Sequence, residues 1–216
     1  MRNGRLERFA PLFGALFAVL FAIGLLSNWD TPDSKASGQE VISHYGDEGK
    51  IFLGVFALLL GAILFLFFVG ILQAALRTSE RAPEWLATVV FGGGVIYSIA
   101  LAIFAMGQFM LIEAANLGQP EVAQALNIFD LNNFFPAVVG LATILLATGW
   151  HTLRSAVLPV WLGWVSVVLG LLALAGPAGF MAFLLFPLWV LVVSVLLYRA
   201  DAGAGLPRTG AVADLT

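Results

Sequence analysis

The stretch WLATVVFGGGVIYSIALAIFAMGQFMLIEAAN at residues 85–116 decides the fold, because it is the longest apolar run in the chain. A segment this long and this apolar is able to cross a lipid bilayer as a helix. It also contains three consecutive glycines at 92–94 and polar residues that lipid does not favour. We therefore expect residues 85–116 to form the central helix of a membrane bundle.

The composition predicts the same class of protein for the whole chain. Of the 216 residues, 61% are hydrophobic and only 11% are charged, whereas soluble domains carry about 25% charged residues. No polar stretch is long enough to fold alone, which favours a single integral membrane domain over residues 1–199. The absence of cysteine excludes disulfides and thiolate chemistry.

The apolar runs predict an all-α protein, a bundle of six transmembrane helices. Ser37 and Glu40 have the spacing of a capping box, and Pro120 stands where a helix that ends near Phe129 would begin. We expect these two short helices to lie on the membrane surface in the outer loops. Residues 200–216 are expected to form a flexible cytoplasmic tail. The predicted spans are about 9–27, 51–76, 85–112, 134–153, 159–175 and 180–198.

The distribution of basic residues predicts how the bundle is oriented. All eight arginines fall on the face that holds the N-terminus, and the opposite face has only Lys35 and Lys50. By the positive-inside rule, both termini are then cytoplasmic. The outer loops carry eight acidic residues against the two lysines, a net charge of −6. The expected location is the inner membrane of a bacterial cell, crossed several times.

Four short stretches carry a resemblance to known sequences: EVISHY (40–45), FGGGV (91–95), LPVWLGW (158–164) and FLLFPLWVL (183–191). From residue 40 onward, the chain resembles a group of uncharacterised polytopic membrane proteins of high-GC bacteria, of the domain-of-unknown-function type. The resemblance implies a bundle of six helices and implies no activity.

Two helices carry stripes of small and polar residues. At about 100° per residue, Tyr97 and Gln108 share one face of the third helix, and Thr143 and His151 share one face of the fourth. If these faces meet, they would line a cavity for a small solute, a cation or a lipid. The alternative is tight packing in which the polar groups satisfy one another. The candidate ligand-binding residues are Tyr97, Gln108, Glu113, Asn116, Thr143 and His151.

Glu113 is the candidate that carries a charge. Within the apolar slab it would exchange protons or bind a cation, and at the headgroup level it would be solvated. His44, Asp47 and Glu48 are too loosely spaced to predict a metal site. No cofactor is predicted, because His44 and His151 lie on opposite sides of the membrane and cannot share a haem.

The sequence contains no catalytic motif, no channel filter and no basic, aromatic surface for nucleic acid. A protein without enzymatic activity is therefore expected, with the lipid bilayer as its surroundings. One predicted function is to bind or transport a small solute, cation or lipid through the stripe between helices three and four. The alternative is a structural or regulatory protein that binds a partner through its acidic outer loops.

Overall fold

The computed structural model describes residues 9–46, 48–155 and 157–204, and this part of the chain is helical without any strand. Arg2, Arg5, Arg8, Asp47 and the end of the tail lie outside the described residues. The helices are α1 (Leu12–Ser27), α2 (Gly38–Tyr45), α3 (Glu48–Leu76), α4 (Glu84–Asn116), α5 (Pro120–Asn132), α6 (Phe135–Ser155), α7 (Val160–Ala173) and α8 (Gly179–Ala204).

Four helical stretches of the described chain are long and apolar enough to cross a membrane: Gly49–Leu76, Glu84–Asn116, Pro120–Ser155 and Gly176–Ala200. Helices α1 and α7 are equally apolar in character but shorter. Many large apolar side chains on these helices are exposed, which a protein surrounded by water rarely tolerates over a wide area. The helices are therefore consistent with a membrane protein, and a count of six crossings stays a prediction.

The capping box at the start of α2 is confirmed. The Ser37 hydroxyl accepts a hydrogen bond from the Glu40 backbone N–H, and the Glu40 carboxylate accepts one from the Ser37 N–H at 2.7 Å. These two bonds satisfy backbone donors that the first turn of a helix leaves without partners. The spacing of two residues thus sets where the polar segment between α1 and α3 becomes helical.

Tyr97 of α4 lies at the centre of an aromatic core. Its ring is 5.0 Å from the ring of Phe186 on α8 and 5.2 Å from that of Phe65 on α3. Phe17 of α1 approaches it edge-on at 6.5 Å. Edge-to-face pairs of this kind add to the gain from packing itself. Helix α4 is thus surrounded by other helices, as expected for the central element.

Helices α4 and α6 approach each other closely because a glycine stands at their crossing. A side-chain carbon at Gly140 would lie 2.6 Å from the backbone nitrogen of Tyr97. Backbone atoms inside a packed helix cannot move aside to admit it. Small residues allow such approaches between membrane helices, where dispersion contacts replace the hydrophobic effect.

The alternating helices give the bundle two ends. We call the end formed by residues 28–46, 117–134 and 174–178 the acidic end. The other, the arginine end, holds the turn at 77–83 and the end of α6. At the arginine end, Arg77 pairs with Glu84 at 3.5 Å, and Trp85 packs edge-on against Trp150.

Replacing Gly140 by alanine is expected to lower the free energy of unfolding by about 1–3 kcal/mol, because the new methyl group overlaps the α4 backbone. The measurement is the unfolding midpoint in detergent micelles. Gly92→Ala is the matched control: nothing lies within 4 Å of a carbon added there, and alanine favours the helix by up to about 1 kcal/mol. Equal midpoints for the two variants would contradict the close contact.

Candidate functional site: a cavity at the acidic end

A cavity of about 1040 Å³ lies at the acidic end of the bundle. This volume is at the upper end of the roughly 300–1,000 Å³ typical of small-molecule sites. Helices α1, α4, α5, α6 and α8, together with the loops at this end, form its walls. The walls are mostly apolar and rich in aromatic rings: Phe21, Leu101, Phe104, Phe134, Val138 and Phe183.

The lining also includes large apolar side chains that are exposed at the protein surface. Trp29 is 62% exposed, Phe135 73% and Leu174 58%. Exposed apolar side chains at the rim of a binding cleft mark a site for an apolar partner.

Two polar side chains, Gln108 of α4 and Asp130 of α5, stand side by side in the lining of the cavity. Both are almost fully buried, with 4% of each exposed. The Gln108 amide donates a hydrogen bond to the Asp130 carboxylate over 2.5 Å. Gly107 makes room for this pair, since a side-chain carbon there would lie 2.8 Å from the second carboxylate oxygen.

Several buried oxygen atoms around the Gln108–Asp130 pair accept no hydrogen bond. The second carboxylate oxygen of Asp130, the Gln108 amide oxygen, the Asn127 amide oxygen and the Tyr45 hydroxyl have no hydrogen-bond partner. The ion pairs of the described residues join Lys50 to Asp30 and Arg77 to Glu84, and neither includes Asp130. A buried carboxylate without a cation is costly, so the group is an uncommon feature of a packed core.

Tyr45 of α2 belongs to the same cluster. Burial raises the pKa of its phenol, and the nearby Asp130 carboxylate acts in the same direction. Thr31 and Gln108 lie close enough to the phenol oxygen to lower its pKa somewhat, although neither forms a hydrogen bond with it. The phenol therefore stays protonated over the physiological range and is available as a neutral donor or acceptor.

Asn127 and Gln124 of α5 hold the polar segment that forms one wall of the cavity. The Asn127 amide donates to the carbonyls of Pro32 at 3.2 Å and Asp33 at 3.0 Å. The Gln124 amide donates to the carbonyl of Ala36 at 3.2 Å. These bonds fix the segment whose side chains at 28, 29 and 31 line the cavity.

Lys50 and Asp30 hold the same segment against α3. The two side chains form an exposed ion pair at 3.0 Å. Its ammonium group lowers the pKa of Asp30 through a hydrogen bond. Exposed pairs contribute little free energy, so the amide bonds from α5 are the main restraint on this wall.

Of the six candidate residues from the sequence, Gln108 lines the cavity and the other five do not. Tyr97 is packed among aromatic rings, and the His151 imidazole is hydrogen-bonded to the Ser155 hydroxyl at 2.9 Å on the same helix. Glu113 and Asn116 are exposed. Both alternatives for Glu113, within the apolar slab or at the headgroup level, stay predictions, because lipid-facing and solvated side chains are equally exposed.

The two polar stripes do meet, but the cavity does not follow them. Thr143 is half-buried against Gly93 of α4, with 3.0 Å between its side chain and a carbon added at that glycine. Gly140 brings the Tyr97 backbone into the remaining space. The expected path from Gln108 to Thr143 is therefore filled by the helices themselves. The cavity departs from α4 near Leu101 and opens beside α1 and α8.

Asp130 is the residue that the sequence did not single out. The helical spacing of Val122, Leu126 and Phe129 would favour an apolar buried face on α5, but Val122 and Phe129 are exposed and Leu126 is only partly buried. The buried residues of this helix are Ala123, Asn127 and Asp130. They recur at helical spacing, and this small and polar face was the available signal.

No group of three or more histidine, aspartate or glutamate side chains that could hold a metal ion forms within the described ranges. No known protein family, curated protein or solved structure matches this chain. The resemblance to polytopic membrane proteins of high-GC bacteria therefore stays a prediction, and the site has to be understood from its own geometry.

Replacing Asp130 by asparagine is expected to raise the free energy of unfolding by about 1–3 kcal/mol. Asparagine has the same shape, removes a buried carboxyl whose charged form has no cation beside it, and adds a donor for the free amide oxygen of Gln108. The measurement is the unfolding midpoint in detergent near neutral pH. Asp33→Asn, at an exposed position, is the control and should change little. A lower midpoint for Asp130→Asn would show that the carboxylate already has a compensating partner.

Proposed function

We propose that this protein is a multi-pass protein of the bacterial inner membrane that binds an amphipathic, lipid-like molecule in the cavity at the acidic end. The observation that carries the proposal is the cavity itself, about 1040 Å³ of mostly apolar space with the Gln108–Asp130 pair in its lining. Sites of this kind bind the body of a ligand by apolar contact and orient it by a few polar groups.

The rim of the cavity supports a ligand that arrives from the bilayer. Trp29, Phe135 and Leu174 are exposed apolar side chains that also line the cavity. If these side chains border the membrane, the alkyl chain of a ligand stays in apolar surroundings while it passes from the bilayer into the cavity. A small hydrophilic solute would have to be desolvated in the same place without compensation. A lipid-like ligand is therefore favoured over the solute or free cation that the stripe also predicted.

The proposed orientation places six helices across the membrane with both termini in the cytoplasm. It rests on the described arginines, at positions 77, 81, 154 and 199, which lie near the arginine end, and on the two lysines, which lie near the acidic end. The cavity then opens toward the outer leaflet. Binding without chemical conversion is proposed, because the polar groups at the cavity are a carboxylate, amides and hydroxyls without a nucleophile and base in contact.

The orientation is tested with single cysteines, since the chain has none of its own. Ser34→Cys and Glu80→Cys place a thiol at exposed positions of the acidic and arginine ends. A membrane-impermeant maleimide added to intact cells is expected to label the Ser34→Cys variant. The Glu80→Cys variant should react only after the cells are permeabilised. The opposite pattern would place the termini outside.

Ligand binding is tested with a twelve-carbon alcohol that carries a photoactivatable diazirine at its chain end. In the wild type reconstituted into lipid nanodiscs, illumination is expected to attach the probe to cavity residues such as Leu101 and Phe104. Peptide mass spectrometry locates the adducts. Adducts confined to lipid-facing side chains would contradict the proposed function.

Two neighbouring tryptophan variants make the test specific. Val138 lines the cavity, whereas Val139 is 53% exposed on the outer face of α6. Val138→Trp fills part of the cavity and should reduce the cavity adducts about tenfold, since lost space removes the apolar contacts of the chain. Val139→Trp adds the same side chain to the same helix and should leave them unchanged. Equal loss in both variants would point to a general disturbance of the fold.

A further inference from the structure

We propose that the polar end of the ligand is a positively charged ammonium group, held by Asp130 with Gln108. This inference rests on the proposed function and specifies the chemical class of its ligand. The argument starts from charge: Asp130 is a buried carboxylate in the cavity lining that makes no ion pair with the described lysines and arginines. A cation that enters with the ligand would supply the missing charge.

The surrounding groups fit an ammonium donor. An alkylammonium group has up to three N–H donors and no acceptor. The cavity lining offers two oxygens that accept no hydrogen bond, the second carboxylate oxygen of Asp130 and the amide oxygen of Gln108. One ligand group would thus satisfy both buried oxygens at once. An anionic head group would meet only repulsion from the carboxylate, and a neutral hydroxyl would donate to a single oxygen.

The arrangement also favours an ammonium group over a divalent or transition metal ion. One carboxylate is the only acidic side chain of the cluster, and no group of three or more potential metal ligands gathers in the described part of the chain. Calcium takes six to eight oxygen ligands, often from more than one carboxylate. A single negative charge at the end of an apolar cavity matches a single positive charge on an apolar chain.

The Gln108 amide sets the direction of the carboxylate. Its N–H donates to one oxygen of Asp130, and that bond leaves the other oxygen free. Gly107 removes the side chain that would otherwise occupy the space beside that free oxygen. The amide nitrogen of Asn127, one turn earlier on α5, already donates to the carbonyls of Pro32 and Asp33. It is therefore not the group that binds a ligand. The free oxygen of Asp130 is therefore the main electrostatic feature that a ligand head group would meet.

The test compares three photoactivatable probes with the same twelve-carbon chain and different head groups: a primary amine, an alcohol and a sulfate. All are applied to the reconstituted wild type near neutral pH, where the amine is protonated. The readout is the ratio of cavity adducts to lipid-facing adducts within the same protein, which corrects for how much probe enters the bilayer. The amine is expected to exceed the alcohol about tenfold or more, because a charge-assisted bond to a buried carboxylate is strong. The sulfate should fall below the alcohol.

Asp130→Asn separates the role of the charge from the shape of the cavity. In this variant the ratio of amine to alcohol labelling is expected to fall from about tenfold to about one, with the alcohol in the same variant as the reference. Cavity adducts of the alcohol in this variant show that the cavity still admits the chain. A preference for the amine that survives in Asp130→Asn would overturn the proposal, because the carboxylate would then not be its source.

The outcomes distinguish a failure of this inference from a failure of the proposed function. Equal cavity labelling by the amine and the alcohol in the wild type would overturn the ammonium proposal and leave a lipid-binding cavity. Absence of cavity labelling by every probe would overturn both. Sodium is the competing source of a single positive charge. If sodium raises the unfolding midpoint of the wild type but not of Asp130→Asn, and the amine shows no preference, the site belongs to an alkali ion and the proposal fails.

Discussion

The contact of Gly140 with the backbone of Tyr97 is the constraint on which the rest of the bundle depends. It brings α4 and α6 together over their length, and it turns the Tyr97 ring toward Phe65 and Phe186 on two other helices. Helices in lipid gain nothing from excluding water, so such close contacts supply most of their attraction. The helices leave no space at this crossing, and the open volume of the bundle lies instead at its acidic end.

Much of the fold could be predicted from the sequence, because length and hydropathy limit what a chain can do in lipid. The six apolar runs are helical, and the Ser37–Glu40 pair begins α2 as its spacing indicated. The candidate site was harder to predict from the sequence than the fold. Gln108 was recognised as a polar residue in an apolar helix, but whether a face lines a cavity or packs against a neighbour depends on tertiary contacts that periodicity does not contain.

Of the Gln108–Asp130 pair, the sequence indicated Gln108 and not Asp130, and there is a physical reason for this. In an aqueous protein, the apolar face of a short amphipathic helix is the buried one, and on α5 that face would contain Val122 and Phe129. Both are exposed in this structure, and the buried face holds Asn127 and Asp130. The buried face of α5 is thus its small and polar one, and its exposed face mixes apolar side chains with Glu121 and Gln124. A short helix between two membrane spans should therefore be examined on its polar face first.

The hydrogen bonds from Asn127 to Pro32 and Asp33 also bear on biogenesis. They join residues more than ninety positions apart, and the cavity draws its walls from α1, α4, α5, α6 and α8. No early intermediate of membrane insertion contains all these parts, because helices enter the bilayer in the order of synthesis. The groups around Asp130 all precede it in the chain, at Tyr45, Gly107 and Gln108. Its burial therefore follows as soon as α5 packs against α2 and α4, before the later helices complete the cavity.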